Sequence, residues 1–350
     1  MALTYGYKTI IVTHENTIKS QWVNSFMKMT NIDMDRVLEL SVSTMEALME
    51  VDKSDDYDIF LINHQSIASF AKNNGWDAVR EFFKKYYIGV KIFDEAHKFF
   101  ENSLMIDYFS NTFKTFYLTA TFLRNDRKEN QIYMTSYAEV VRFGEQTFDY
   151  ESKRKHIVAI IVLFMSRPRI GQFVDVSTRR GFSVYKYIDY ELSEDNHTLK
   201  KILFKLMDES MRLEGKRLIL VPKKATIDYI AELVAEKYPN KSIGKIYSDN
   251  TAEENEKSKE KDIIISTAKS SGTGLDIKGL RVMYNLEPIG SPGYLDQVRG
   301  RLREYAPDKD TFMYYPVDTT IPECTAMVKR ILPVLKRKCK EVIIYKIDDI

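Results

Sequence analysis

The sequence predicts an α/β protein made of two parallel-sheet units in tandem. Three observations predict it. Short, continuously apolar runs recur in both halves of the chain, helix-like stretches separate them, and one run closes on two adjacent carboxylates, Asp94 and Glu95. A strand that is apolar at every position is covered on both faces, which is the situation of a strand inside a parallel sheet between layers of helices.

In the first half, Lys8–Thr13 (KTIIVT), Asp58–Asn63 (DIFLIN), Val90–Asp94 (VKIFD) and Thr115–Thr119 (TFYLT) read as strands, rich in Val, Ile, Phe and Tyr. Thr17–Met29 and Trp76–Tyr86 read as helices between them. The pattern repeats after residue 200, with strands expected at Arg217–Val221, Ile243–Tyr247, Asp262–Ser266, Arg281–Leu286, Thr311–Tyr315 and Val342–Ile347. Ala225–Lys237, opened by a turn at Pro222, and Ile321–Lys336 are the matching helices. The expected division is therefore a first unit over 1–145, a less regular connector over 146–195 and a second unit over 196–350. Within the connector, Lys153, Arg154, Lys155, Arg167, Arg169, Arg179 and Arg180 face only Glu151 and Asp175. This stretch reads either as a solvated linker with basic decoration or as a basic surface that touches phosphates. The mixed-charge run EENEKSKEKD at Glu253–Asp262 reads as an exposed loop or helix end.

Composition narrows the function classes. A chain of 350 residues is long enough for two ordinary cores, and 44% apolar with 29% charged residues is the balance of a soluble globular protein. No apolar run reaches the roughly 18 residues that would suggest a membrane span, and the start MALTYGYKTIIV has no basic head or cleavage site of a secretory signal. With only Cys324 and Cys339 and no Cys/His cluster, a reducing, cytoplasmic location without a membrane partner is expected. The net charge of 52 − 50 = +2 does not announce a nucleic-acid binder, so any such contact depends on local patches.

The chemistry sits at residues 90–97, VKIFDEAH. Two carboxylates at the end of a buried parallel strand suit nucleoside triphosphate hydrolysis. Asp94 would hold Mg²⁺, largely through its waters, and Glu95 would polarise the attacking water. Around it, six segments follow in order: TIIVTHENTIKSQW (Thr9–Trp22), DIFLINHQSI (Asp58–Ile67), IFDEAH (Ile92–His97), YLTATFLR (Tyr117–Arg124), DIIISTAKSSGTGLDIKGLRVMYNLEP (Asp262–Pro288) and QVRGRLRE (Gln297–Glu304).

This order resembles the superfamily 2 helicases and translocases. The match is to the DEAH-containing group that takes in the phage UvsW-type helicases, the XPB-type helicases and the motor subunits of restriction enzymes. The resemblance covers nearly the whole chain and implies two RecA-like parallel-sheet domains in tandem, with ATP and Mg²⁺ as cofactors and nucleic acid, DNA in preference to RNA, as partner. It implies that His97, Thr119 and Thr121 link nucleotide state to domain closure. Gln297 and Arg301, with Arg303, would reach the γ-phosphate, and Gly274 and Asp276 would lie near the ribose or metal. The family places a second arginine three residues after the first. Here that position is Glu304 and Arg303 comes one residue early, so Arg301 is the better finger. Strand contacts are expected from the loops that hold His14, Gln21, Asn63, His64, Gln65, Ser266, Thr267 and Lys269. Short polar side chains and backbone amides at such places bind phosphates without reading bases. Trp22 reads as the core anchor of its helix.

One part of such a site is missing from the pattern. The phosphate-cradling G-x-x-x-x-G-K-[ST] loop does not occur in the sequence, while Met-Ala-Leu at the start resembles the helix that follows such a loop. A fragment or misassigned start, a split gene whose other half supplies the loop, and a natural pseudo-ATPase each account for this. Retention of Asp94, Glu95, Gln297 and Arg301 favours the first two, with a separate segment or chain supplying the loop. The expected activity is that of an ATP-dependent DNA helicase or translocase, hydrolysing poorly without that loop. The alternatives are a non-catalytic nucleic-acid-binding module and the motor subunit of a restriction or nuclease complex.

Overall fold

A computed structural model describes residues 6–51, 53, 55–96, 98–119, 127–141, 155–166, 176–178, 181–192, 198–247, 249–267 and 276–347. The chain divides into two units, Met1–Arg142 and Phe143–Ile350.

The first unit runs β1 (Lys8–Thr13), α1 (Asn16–Met29), β2 (Val37–Glu39), α2 (Val42–Glu50), β3 (Ile59–Asn63), α3 (His64–Asn74), α4 (Trp76–Lys85), β4 (Ile88–Asp94), α5 (Phe100–Phe109), β5 (Lys114–Leu118) and α6 (Arg127–Ser136). Its sheet has the order β2-β3-β1-β4-β5, and every pairing is parallel. The register aligns Thr13 with Asn63, Val12 with Phe93 and Asp94 with Leu118, so the carboxyl ends of four strands finish side by side.

The apolar runs form these strands because both faces are covered. One face packs Phe60, Phe70, Phe82, Tyr86 and Phe93 under α2, α3 and α4. The other packs Ile11, Ile59 and Leu61 against Trp22, Val23 and Phe26 of α1. Fully burying an aliphatic or aromatic side chain contributes about 1.5–3 kcal/mol each, so β3, buried at all five positions, is one of the anchors of the unit. Side chains set the helix starts: Ser41 accepts from the Thr44 amide ahead of α2, and Asn63 accepts from the Ser66 amide ahead of α3. Gly75, at φ +84°, makes the turn that separates α3 from α4, a conformation that glycine adopts without strain.

The second unit runs β6 (Ile157–Phe164), β7 (Ser177–Thr178), β8 (Gly181–Phe182), α7 (Val184–Glu191), α8 (Thr198–Ser210), β9 (Lys216–Val221), α9 (Lys224–Lys237), β10 (Ile243–Ile246), α10 (Ala252–Lys259), β11 (Ile263–Thr267), β12 (Leu280–Asn285), α11 (Pro292–Arg299), β13 (Thr311–Asp318), α12 (Pro322–Lys338) and β14 (Glu341–Lys346). The main sheet is parallel throughout, in the order β10-β11-β9-β12-β13-β6-β14, and β7 and β8 form a small antiparallel pair. The mixed-charge run begins in α10, a helix opened by a Thr251–Glu254 capping box.

The strands expected from the sequence are present to within a few residues. Four further strands among the described residues were not anticipated, among them the two-residue pair β7 and β8. Val37–Glu39 is too short to carry a pattern. Ile157–Phe164 is the most instructive, because it lies inside the stretch read as a basic connector. IVAIIVLF is a strand of the second sheet, paired in parallel with β13 on one side and β14 on the other. The basic residues flank this run and dominate the local composition, whereas the run itself is buried at seven of its eight positions.

Candidate functional site

The carboxyl edge of the first sheet gathers the residues expected to carry chemistry. Strand β4 ends at Asp94, and the chain turns immediately: Glu95 has φ +52°, in the left-handed region. That conformation costs a non-glycine residue roughly 1–2 kcal/mol and is held by its surroundings. The Ala96 amide donates to the Leu118 carbonyl at 3.0 Å, and the Lys98 amide to the Glu95 carbonyl at 2.9 Å. The turn is thus hydrogen-bonded to the last residue of β5, directly before Thr119.

Asp94 is half-buried, and its Oδ2 accepts a hydrogen bond from the Trp22 indole Nε1 at 3.0 Å. Burial pushes the Asp94 carboxyl above its ordinary value, and the indole hydrogen bond opposes that rise by favouring the charged form. Trp22 was expected to be a core anchor. It is one, packed beside Phe26 at 5.7 Å, but its polar atom reaches the site. No local signal joins two residues so far apart in the chain.

Beside this turn His14, Glu15, Asn16, Asn63, Gln65, Lys98 and Phe99 line an open hollow of about 420 Å³. Lys98 Nζ donates to His14 Nε2 at 2.8 Å. An ammonium has no acceptor, so His14 is the acceptor at Nε2 and carries its proton on Nδ1. Asn63 has both ends of its amide engaged, accepting from the Ser66 amide and donating to Asn16 Oδ1, each at 2.7 Å. Lys98 and Phe99 were missed in the sequence, where nothing distinguishes them from other residues after a strand.

His64 corrects an expectation. It was expected to contact a nucleic-acid strand, but it is fully buried, stacked on Phe93 at 5.6 Å and tilted against Phe99 at 5.4 Å. Burial lowers its pKa to about 4, so the ring is neutral. As the first residue of α3 it points back into the core, which removes it from the surface. Gln21 and Gln65 are exposed, whereas His14 and Asn63 are largely covered.

In the second unit Ser266 and Thr267 end β11 and are buried. Ser266 donates its hydroxyl to the backbone carbonyls of Ile246 and Thr267, so it closes a strand end instead of facing outward. Arg301, just past α11, is buried. Desolvation lowers its pKa to about 10, against the opposing influence of Tyr294 and Glu287. Gln297 is half-buried on α11, whose start is set by Ser291 and Pro292. Arg303 is exposed and lines a hollow of about 360 Å³ together with Asp276, Lys278, Glu304 and Tyr305. The structure therefore brings Asp276 and Arg303 together and keeps Arg301 enclosed. His97, Thr121, Lys269 and Gly274 lie outside the described residues.

Two parallel sheets with this ordered set of strand-end motifs agree with comparison to known proteins. Residues 2–124 match the family described as "Type III restriction enzyme, res subunit", and residues 196–304 match "Helicase conserved C-terminal domain". The chain is a superfamily 2 helicase-like protein. Among curated relatives, transcript termination protein A18 of fowlpox virus is 21% identical over 342 residues, covering 93% of this chain and 68% of that protein. The chain spans between 52% and 68% of the length of the curated relatives it matches. Among solved structures, a fragment of an HsdR subunit of a type I restriction enzyme from Vibrio vulnificus superposes with a TM-score of 0.59. It is 13% identical and is covered to 58%, with 98% of this chain aligned. Yeast Dbp5 bound to RNA and ADP BeF3 superposes at 0.57 with 11% identity, covering 98% of this chain and 78% of that one. At such identities these likenesses establish the fold, two RecA-like α/β units. Among the described residues no helix is long and apolar enough to cross a membrane.

Proposed function

We propose that this protein is an ATP-dependent DNA helicase or translocase of the DEAH type, related to UvsW-like and restriction-enzyme motors, in which nucleic-acid-stimulated hydrolysis drives strand unwinding or branch migration. The observation that carries this reading is the Asp94–Glu95 pair. It sits at the carboxyl end of a parallel strand between two others, where ligands of open α/β sheets bind, and on a left-handed turn of the kind that persists at functional sites.

ATP and Mg²⁺ are the cofactors of this reading. Mg²⁺ keeps most of its waters and takes one or two carboxylates beside substrate phosphates, and the half-buried Asp94 carboxylate fits that requirement. When bound, the ion would neutralise charge on the phosphates. Glu95 would orient and polarise the attacking water. Arg301, just past α11, would supply the cation for the charge spread over the transferring phosphoryl group, and Gln297 on α11 would reach the γ-phosphate. Arg303 and Asp276, which share one hollow, are assigned to the nucleotide's periphery. Thr119, which follows the Leu118 carbonyl that accepts from the Ala96 amide, is assigned to coupling, along with His97 and Thr121. Gln21, Gln65 and Lys98 are the side chains assigned to a phosphodiester backbone.

DNA is favoured over RNA because residues 2–124 match a restriction-enzyme subunit family. The same match favours a second reading, the motor subunit of a restriction or nuclease complex. The test is ATP turnover with and without single-stranded DNA, from the chain by itself and from the chain joined behind a segment bearing a G-x-x-x-x-G-K-T loop. The expected result is DNA-stimulated turnover in the joined protein, reduced at least about 100-fold by Glu95→Gln. Turnover indifferent to Glu95→Gln would refute the assignment of Glu95. A folded protein that binds DNA but shows no turnover in either form would refute hydrolysis and leave a nucleic-acid-binding module.

A further inference from the structure

Trp22 is held from one side and engaged on the other. Together with Val23 and Phe26, its indole packs on the sheet face formed by Ile11, Ile59 and Leu61, which fixes the ring. Its single polar atom, Nε1, donates 3.0 Å to Asp94 Oδ2. A half-buried indole N–H needs an acceptor and commonly takes a backbone carbonyl. Here it takes an acidic side chain of the proposed reaction centre, and a hydrogen bond to an ionised acceptor is about twice as strong as a neutral one. Asp94 needs such a support, because the left-handed turn at Glu95 follows it at once and no helix orients its side chain. The helix that carries Trp22 also exposes Gln21, the neighbouring residue.

We propose that Trp22 is the positioning residue of Asp94: its indole N–H holds the carboxylate in one orientation and ties it to α1, so that nucleic acid engaging the exposed side of α1 is felt at Asp94. This assignment of a role in metal handling rests on the hydrolytic reading above, but the clamp itself is a statement about two side chains and can be tested without turnover.

The sequence holds two tryptophans, and the other, Trp76, stacks on Phe109 at 5.3 Å, away from the Asp94 turn. In the full chain carrying Trp76→Phe, Trp22 is the sole tryptophan emitter. Its emission maximum, anisotropy and quenching by iodide are read with Asp94 intact, in Asp94→Ala and in Asp94→Asn, each with and without single-stranded DNA. The clamp predicts a shifted emission, lower anisotropy and easier quenching in Asp94→Ala. Asp94→Asn, which keeps an acceptor oxygen, restores most of the original signal. It also predicts a DNA-induced emission change that is present with Asp94 and reduced in Asp94→Ala. Emission unaltered by Asp94→Ala overturns the clamp, and a DNA response that is equal in both overturns the link to α1.

In the protein that turns over ATP, Trp22→Phe keeps the ring and removes the N–H. The Mg²⁺ concentration for half-maximal turnover is then expected to rise about tenfold, the scale of losing one support of a metal-site ligand. An unchanged Mg²⁺ dependence overturns the positioning role, while Glu95→Gln continues to judge hydrolysis separately. Absence of turnover in the parent, with the emission coupling intact, would refute the hydrolytic reading and leave the clamp standing.

Discussion

His64 offers the sharpest test of how the first unit is held together. It opens α3, is fully buried between Phe93 and Phe99, and neither of its ring nitrogens has a hydrogen-bond partner among the described residues. Burial is the cause of its lowered pKa. The unfolded chain takes up a proton on this ring near the ordinary value of 6.5, the folded one only near 4. The neutral ring's contribution to stability is therefore full above 6.5 and is lost as pH falls through about 4. The whole interval is worth about 3 kcal/mol, and about 2 kcal/mol of it has gone by pH ~5. His64→Phe keeps a flat ring in the stack and removes two buried polar atoms, each of which costs about 1–3 kcal/mol when unsatisfied. The variant should therefore be more stable than the parent at neutral pH. Urea unfolding of both proteins at pH ~7.5 and ~5 checks this, and the stability gap should widen by about 2 kcal/mol at the lower pH. A gap that does not change with pH would refute the assignment of a buried, neutral His64.

Two further outcomes are expected. Lys91, 1% exposed in the same strand as Asp94, lies 2.5 Å from Asp107 and 2.6 Å from the Ser110 hydroxyl, with its head over the rings of Phe83 and Phe93. Asp107→Ala should cost about 3–5 kcal/mol by stranding a buried charge, and adding Lys91→Met should recover much of it. A double-mutant cycle in urea with additive losses would contradict this. Gly244, inside β10, has no room for a side chain, because an added Cβ would stand 2.2 Å from the Ser258 carbonyl of α10. Gly244→Ala should lower the stability of the second unit by about 1–3 kcal/mol. An unfolding midpoint equal to the parent's would show that α10 yields freely.

Much of the fold was legible because its signals are local. DIFLIN and DIIIS are apolar at nearly every position and bounded by polar residues, and both became buried parallel strands. The same rule applied to IVAIIVLF would have found β6. The neighbouring arginines and lysines obscured it, because average charge over a segment says nothing about a run of eight residues within it. The candidate site was legible only in part. The turn at Asp94–Glu95 is where the motif order suggested, but the polar residues that follow the strands diverged. Gln21 and Gln65 face outward, Asn63 is spent on a helix cap, Ser266 on strand-end carbonyls, and His64 is enclosed.

That divergence marks the boundary between the two levels of information. Periodicity, strand order and the carboxylate pair depend on neighbours within a few positions, and the chain alone specifies them. Which way a polar side chain points at a strand's end depends on what packs against it from elsewhere. Phe93 and Phe99 close over His64, and Trp22 crosses from α1 to Asp94, 72 residues away. The indole hydrogen bond exists because the apolar face of α1 must be buried on the sheet, and burying it carries the Trp22 N–H to the end of β4, where Asp94 accepts it.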